Sequence, residues 1–114
     1  MPYFELNGVK YETTAEGYLL DLNQWNDDVA RFLAKAEGLG ELTGPHWEII
    51  LFLRWFYREY AISPMVKILM KELEKKYGSA KASRQHLYQL FPLGPAKQGT
   101  RIAGLPKPPD CIDG

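Results

Sequence analysis

The residue best suited to chemistry is Cys111, the only cysteine in 114 residues. It stands in the closing stretch Leu105-Pro106-Lys107-Pro108-Pro109-Asp110-Cys111-Ile112-Asp113-Gly114, just past Gly104. A lone cysteine often serves as a small buried hydrophobe. Three prolines, however, impose extended backbone without hydrogen-bond donors, so this thiol is expected on a stiff, exposed arm from Leu105 onward. A thiolate so placed can attack a donor persulfide, carry its outer sulfur and present it to an acceptor, which needs reach more than a pre-built pocket. The flanking carboxylates Asp110 and Asp113 disfavour a thiolate in the free arm. Activation is therefore expected from a partner's site, or from Lys97, Arg101 and Lys107 if the arm folds back.

The remaining candidates are sparse. His46 and His86 are the only histidines, and neither lies near Cys111 in sequence. There is no His-x-x-x-His or Cys-x-x-Cys spacing for a metal, and surface or capping roles account for both imidazoles. Gly38-Leu39-Gly40 follows a helical pattern rather than a strand, so it does not read as a phosphate loop. Asp27-Asp28 reads as a favourable charge pair in a first helical turn. No metal or resident cofactor is expected, and any activity is that of a component that turns over only with partner proteins.

Charge adds a second reading. The chain is neutral overall, with 14 basic and 14 acidic residues, but residues 1–60 hold five Lys/Arg against ten Asp/Glu and residues 61–114 hold nine against four. A basic C-terminal half could face an anionic partner, or simply be a set of solvated helix faces. A helix-turn-helix presenting Arg84, Gln85, His86 and Gln89 is the nucleic-acid version of that idea. Its connection from Tyr77 to Ser83 is longer than the usual tight turn, and helix-on-helix packing is the plainer reading.

These residues need a scaffold, and the sequence describes an α+β one, mostly helical. Asn7-Gly8 between Tyr3–Leu6 and Val9–Glu12 is a hairpin signal, with Tyr18-Leu19-Leu20 as a third short strand of a small antiparallel meander. Asp21 and Gln24 form a capping-box pattern for a first helix through Trp25, Val29, Phe32, Leu33 and Ala36. A second runs from Thr43, with Pro45 in its first turn, to about Tyr60; apolar on nearly every side, it is the expected centre. Ser63-Pro64 is expected to cap a third, Gly78–Ala82 to turn, Ser83 to cap a fourth ending near Phe91, and Gly94-Pro95 to open a fifth through Ala103. The whole reads as one domain, with a globular body over 1–104 and a mobile cysteine-bearing arm over 105–114. The longest apolar run, Ile49–Leu53, is too short to cross a bilayer, and Met-Pro-Tyr-Phe-Glu does not resemble a signal peptide, so a cytoplasmic protein is expected.

The run Leu90-Phe-Pro-Leu-Gly-Pro-Ala-Lys-Gln98, then Ile102-Ala-Gly-Leu-Pro-Lys-Pro108 and a near-terminal cysteine, resembles the DsrC/TusE family, which includes the dissimilatory sulfite reductase gamma subunit. Gly17-Tyr-Leu, Asp21-Leu-Asn-Gln-Trp25, His46-Trp47-Glu, Phe52-Leu-Arg54 and Tyr57 extend the similarity over nearly the whole chain. The resemblance implies a small strand meander packed on helices and a C-terminal arm. It also implies a sulfur carrier using Cys111, with Lys97, Arg101, Gly104, Leu105, Pro106, Lys107 and Pro108 in arm and docking roles. Two-cysteine members cycle through a bond between two arm cysteines with ten residues between them; here that earlier position is Thr100, whose hydroxyl forms neither persulfide nor disulfide. The single-cysteine branch is the one implied, in which a transient persulfide passes from an upstream relay complex to an acceptor such as a tRNA thiouridylase. A sulfite reductase as acceptor, or a regulatory role, is the alternative. Ile112, Asp113 and Gly114 depart from the family pattern of one residue after the cysteine.

Overall fold

In the computed structural model, residues 1–109 are described. Two strands, β1 (Tyr3–Leu6) and β2 (Val9–Glu12), precede six helices: α1 (Asp27–Ala36), α2 (Gly44–Tyr60), α3 (Val66–Tyr77), α4 (Ser79–Ala82), α5 (Arg84–Leu90) and α6 (Pro95–Ile102). The antiparallel pair runs in the register Tyr3↔Glu12 to Leu6↔Val9. Asn7 and Gly8 both take positive φ, 53° and 80°, as a two-residue turn matched to strand twist requires. The expected third strand contracts to one bridge, Thr13↔Leu19. Phe4 stacks between Tyr11 and Phe32, at centroid distances of 5.0 and 4.9 Å, and so pins the hairpin to α1.

The central helix begins and ends where the sequence placed it. Thr43 caps α2 in a box in which His46 replaces the usual glutamate, its Nδ1 accepting from the Thr43 amide at 3.1 Å. The other ring nitrogen, Nε2, meets the Leu90 carbonyl at 2.9 Å, so this imidazole ties the start of α2 to the end of α5. Ile49, Ile50, Phe52, Leu53 and Phe56 are buried on α2, as its nearly all-round apolar pattern demands.

Three helix starts differ from the sequence reading, each for a local reason. The Asp21 side chain closes a short 3-10 turn over Leu22–Gln24 by accepting from the Asn23 amide at 3.0 Å. Trp25 then stays extended, and Asn26 caps α1 by accepting from the Val29 amide at 3.0 Å. Ser63 does not cap α3, which starts at Val66 after Met65; Pro64 biases its predecessor away from helix, and the Ser63 hydroxyl is used elsewhere. Ser79–Ala82 forms the short helix α4 rather than a simple turn, while Ser83 caps α5 as expected through the His86 amide at 3.1 Å. Among the described residues no helix is long and apolar enough to cross a membrane.

Candidate functional site: the C-terminal segment and its anchors

α6 is short but almost wholly enclosed: Pro95, Ala96, Gln98, Gly99, Thr100 and Ile102 are buried, against α1, α2, α3 and α5. Two of its polar side chains, Gln98 and Arg101, share one carboxylate. Glu37, just past α1, accepts from Arg101 Nε at 2.9 Å and from a terminal guanidinium nitrogen at 2.8 Å. The same carboxylate accepts from Gln98 Nε2 at 3.1 Å, while Gln98 Oε1 accepts from the Leu93 amide at 3.1 Å. The two-pronged geometry is the strong form of a guanidinium–carboxylate pair. Hydrogen bonding to Glu37 raises the Arg101 pKa above its ordinary value, in spite of burial. Tyr18, buried beneath, lies under the Arg101 guanidinium at 5.5 Å and donates to the Lys97 carbonyl at 3.5 Å.

The end of α6 is closed by a Schellman arrangement. The Gly104 amide donates to the Arg101 carbonyl at 3.2 Å and the Leu105 amide to the Thr100 carbonyl at 3.1 Å, with Gly104 at φ +70°. Glycine is required twice over here, because a Cβ would also stand 2.7 Å from Trp25 Cγ. Trp25 in turn donates its indole N–H to the Ile102 carbonyl at 2.9 Å. Arg54 donates to the Ala103 carbonyl at 2.6 Å and stacks on the Trp25 ring at 4.0 Å. Burial, then the nearby Arg58 charge, lowers the Arg54 pKa. Two carbonyls that a helix terminus leaves without partners are thus taken up by Trp25, just past the 3-10 turn, and by Arg54 of α2.

The chain beyond Gly104 also lies on the body. Leu105 is 2% exposed, Pro108 is buried, and the Ser63 hydroxyl donates to the Pro106 carbonyl at 2.7 Å. Lys107 pairs with Glu16 at 2.9 Å on the exposed side. The boundary between body and arm expected at Leu105 therefore shifts: the packed segment continues through Pro108, because Leu105 and Pro108 bury apolar surface and side chains accept the task of satisfying the backbone that prolines cannot.

Of the residues singled out in the sequence, Arg101, Gly104, Leu105, Pro106, Lys107 and Pro108 come together along this path. Arg101 spends its charge on Glu37, and Lys107 on Glu16. Lys97, half-buried on α6, has no side-chain hydrogen bond or ion pair among the described residues. Cys111 lies outside the described residues. Thr100 is fully buried, and its hydroxyl has no partner among them. Glu37 and Glu16 are not singled out by the sequence, and Ser63 only as a helix cap; for the seal at Ala103 the one signal available is Arg54, a cation in the middle of a largely apolar helix.

The comparisons with known proteins follow the same path. The family model described as DsrC like protein matches residues 5–112. This chain belongs to the DsrC-like family. It is 50% identical over 107 residues to the sulfurtransferase TusE homolog of Haemophilus influenzae, covering 94% of this chain and 97% of that one. To sulfurtransferase TusE of Escherichia coli it is 47% identical over 105 residues, 92% of this chain and 95% of that one. Among solved structures, Allochromatium vinosum DsrC superposes with a TM-score of 0.85 at 49% identity, covering 96% of this chain and 97% of the other. The oxidized gamma subunit of dissimilatory sulfite reductase from Archaeoglobus fulgidus superposes at 0.81 with 40% identity, covering 97% and 100%. The family fold of a small antiparallel sheet on a helical array is the one seen here.

Proposed function

We propose that this protein carries sulfur in a relay, with Cys111 as the carrying atom's host. The Cys111 thiolate attacks the outer sulfur of a donor persulfide; the new S–S bond forms as the donor's S–S bond breaks, and the donor leaves as a thiolate. An acceptor then takes the outer sulfur from Cys111 in the same way, and no resident cofactor or metal takes part. The observation that carries the reading is the pairing of one cysteine with near-full-length identity to proteins named sulfurtransferase TusE. The acceptor best fitted to a single-cysteine chain is an enzyme that thiolates tRNA uridine, with Thr100 standing where a second arm cysteine would be needed for an internal disulfide cycle.

The anchored segment supports a short-tether version of this reading. An extended chain spans at most about 3.6 Å per residue, so the Cys111 Cα, three residues past a fixed Pro108, works within roughly 11 Å of it, and its thiol one side-chain length further. A donor or acceptor must then come to the face that exposes Glu16 and Lys107, instead of receiving a long swinging arm. Lys97, without a side-chain partner among the described residues, is the cation left along the segment to favour a thiolate in the docked complex, since Lys107 is paired with Glu16. A second reading, in which the acceptor is a sulfite reductase, is favoured by the likeness to the gamma subunit of that enzyme. Incubation with a cysteine desulfurase and cysteine tests the shared core of both: intact mass should rise by about 32 Da, one sulfur atom, and Cys111→Ser should show no gain. Absence of loading on the wild type from any persulfide donor would remove the carrier reading.

A further inference from the structure

The two edges of the N-terminal hairpin are finished differently. The Thr13 amide donates to the Pro2 carbonyl at 2.9 Å, and the backbone groups of an antiparallel strand turn toward its partner at every second residue. Pro2, Phe4 and Leu6 therefore face β2, and Tyr3 and Glu5 point their N–H and C=O groups away from it, along the outer edge of β1. The same period on β2 sends the Lys10 and Glu12 carbonyls outward, and both are taken up: the Leu20 amide donates to Glu12 at 3.0 Å and the Gln24 side chain to Lys10 at 3.2 Å. Among the described residues nothing pairs with the backbone of Tyr3 or Glu5, and both residues are exposed. An open edge of this kind is a template for another strand, and β1 has neither a bulge nor a lysine to blunt it. Pro2 does not interrupt the edge, because its missing N–H falls on the side of β2.

The side chains along this edge say what kind of strand it fits. Glu5 and Lys10 are cross-strand partners, yet the Lys10 ammonium lies over the Tyr3 ring at 4.6 Å, and Glu5 has no ion pair among the described residues. On the other face of the hairpin Phe4 stacks on Phe32, both rings half-buried, so an apolar surface borders the same edge. We propose that the outer edge of β1 takes an extended segment of a partner protein as an added strand, with an apolar residue beside Phe4 and a basic one beside Glu5. Two backbone donors and two acceptors, on Tyr3 and Glu5, hold the segment, and its alternating side chains give selection. A second copy of this chain fits less well. Antiparallel self-pairing about Phe4 sets Tyr3, not a cation, opposite Glu5 and brings the two Glu5 carboxylates to diagonal positions. An edge of four residues also falls well short of the roughly ten hydrogen bonds of a standard interface between folded proteins. Such a contact suits a partner that docks and leaves; that this partner belongs to a sulfur relay rests on the function proposed above.

The test uses the full chain and no sulfur donor, so its failure leaves the relay reading standing. An end-capped peptide of alternating lysine and valine is added in excess to labelled protein, and hydrogen exchange of the β1 amides is followed by NMR. In the free protein the Tyr3 and Glu5 amides should exchange as those of an open chain do, and the Phe4 and Leu6 amides should be protected by the ladder. With peptide, exchange at Tyr3 and Glu5 is expected to slow about tenfold or more, while Phe4 and Leu6 change little. Adsorption of a cationic peptide onto an acidic surface does not produce that every-second-residue pattern. Glu5→Lys, a change at an exposed position, should weaken binding about threefold, and the same peptide methylated at each backbone nitrogen should give no protection. The proposal is overturned if the peptide leaves Tyr3 and Glu5 unprotected, if the methylated peptide protects them equally, or if a peptide alternating glutamate with valine binds as well. It is also overturned if both amides become protected without peptide as protein concentration rises, which would make a second copy the occupant.

Discussion

Two glycines near opposite ends of the sequence have nearly the same φ and very different surroundings. Gly8 turns the N-terminal hairpin at φ +80° with nothing within 4 Å of where a Cβ would be. Gly104 closes α6 at φ +70° against the Trp25 indole. The hairpin is held by its own ladder, by the stack of Phe4 on Tyr11 and Phe32, and by one side-chain bond from Gln24 to the Lys10 carbonyl. The C-terminal segment is held by side chains drawn from many positions in the chain: Glu37, Trp25, Arg54, Ser63 and Glu16. Backbone satisfaction by long-range side chains, and not regular pairing, is what fixes the segment leading to the cysteine, and it does so where composition alone suggested looseness.

Substitutions that act on one end should separate it from the other. Gly104→Val combines forbidden backbone with a collision against Trp25 and should cost about 3–4 kcal/mol in urea unfolding, whereas Gly8→Ala, strained but unobstructed, should cost about 1 kcal/mol. Equal effects would mean the indole yields and the seal is loose. Glu37→Ala leaves Arg101 and the buried Gln98 amide without their shared acceptor, and a loss of about 2–3 kcal/mol is expected. Both guanidinium shifts concern groups cationic throughout the neutral range: the raised Arg101 pKa means its contribution is complete below the unfolded value and fades only as pH climbs past the raised one. Arg54→Met keeps the apolar stem over Trp25 but removes the donor to Ala103, for about 1–2 kcal/mol. At the small end, Ser63→Ala should cost about 1 kcal/mol, and Lys107→Ala, breaking an exposed pair, less than about 0.5 kcal/mol.

Much of this scaffold is legible in the sequence because it is local. Asn7-Gly8, Thr43 with Pro45, and Ser83 each announce an element through chemistry completed within a few residues. Asp21 shows the limit: its side chain closes a 3-10 turn, because Trp25 is wanted in extended backbone to reach the Ile102 carbonyl 77 residues away. Ser63 fails as a predicted helix cap for the same kind of reason, its hydroxyl being committed to Pro106, 43 residues on. Cys111 and the motif around it can be found by type and context alone, since a lone thiol among prolines stands out. The anchors of the segment that leads to it are ordinary residues given meaning only by tertiary contact.

The C-terminal segment is held past the end of α6, and the Leu105 amide reports on the start of that segment through its bond to the Thr100 carbonyl. Native-state hydrogen exchange compares it with the hairpin amides under one set of conditions. Protection of Leu105 and Gly104 at or above that of β1 and β2 is the predicted result. Exchange of Leu105 at the rate of an open chain, in a protein whose α2 amides remain protected, would contradict it and return the cysteine to a long, free arm.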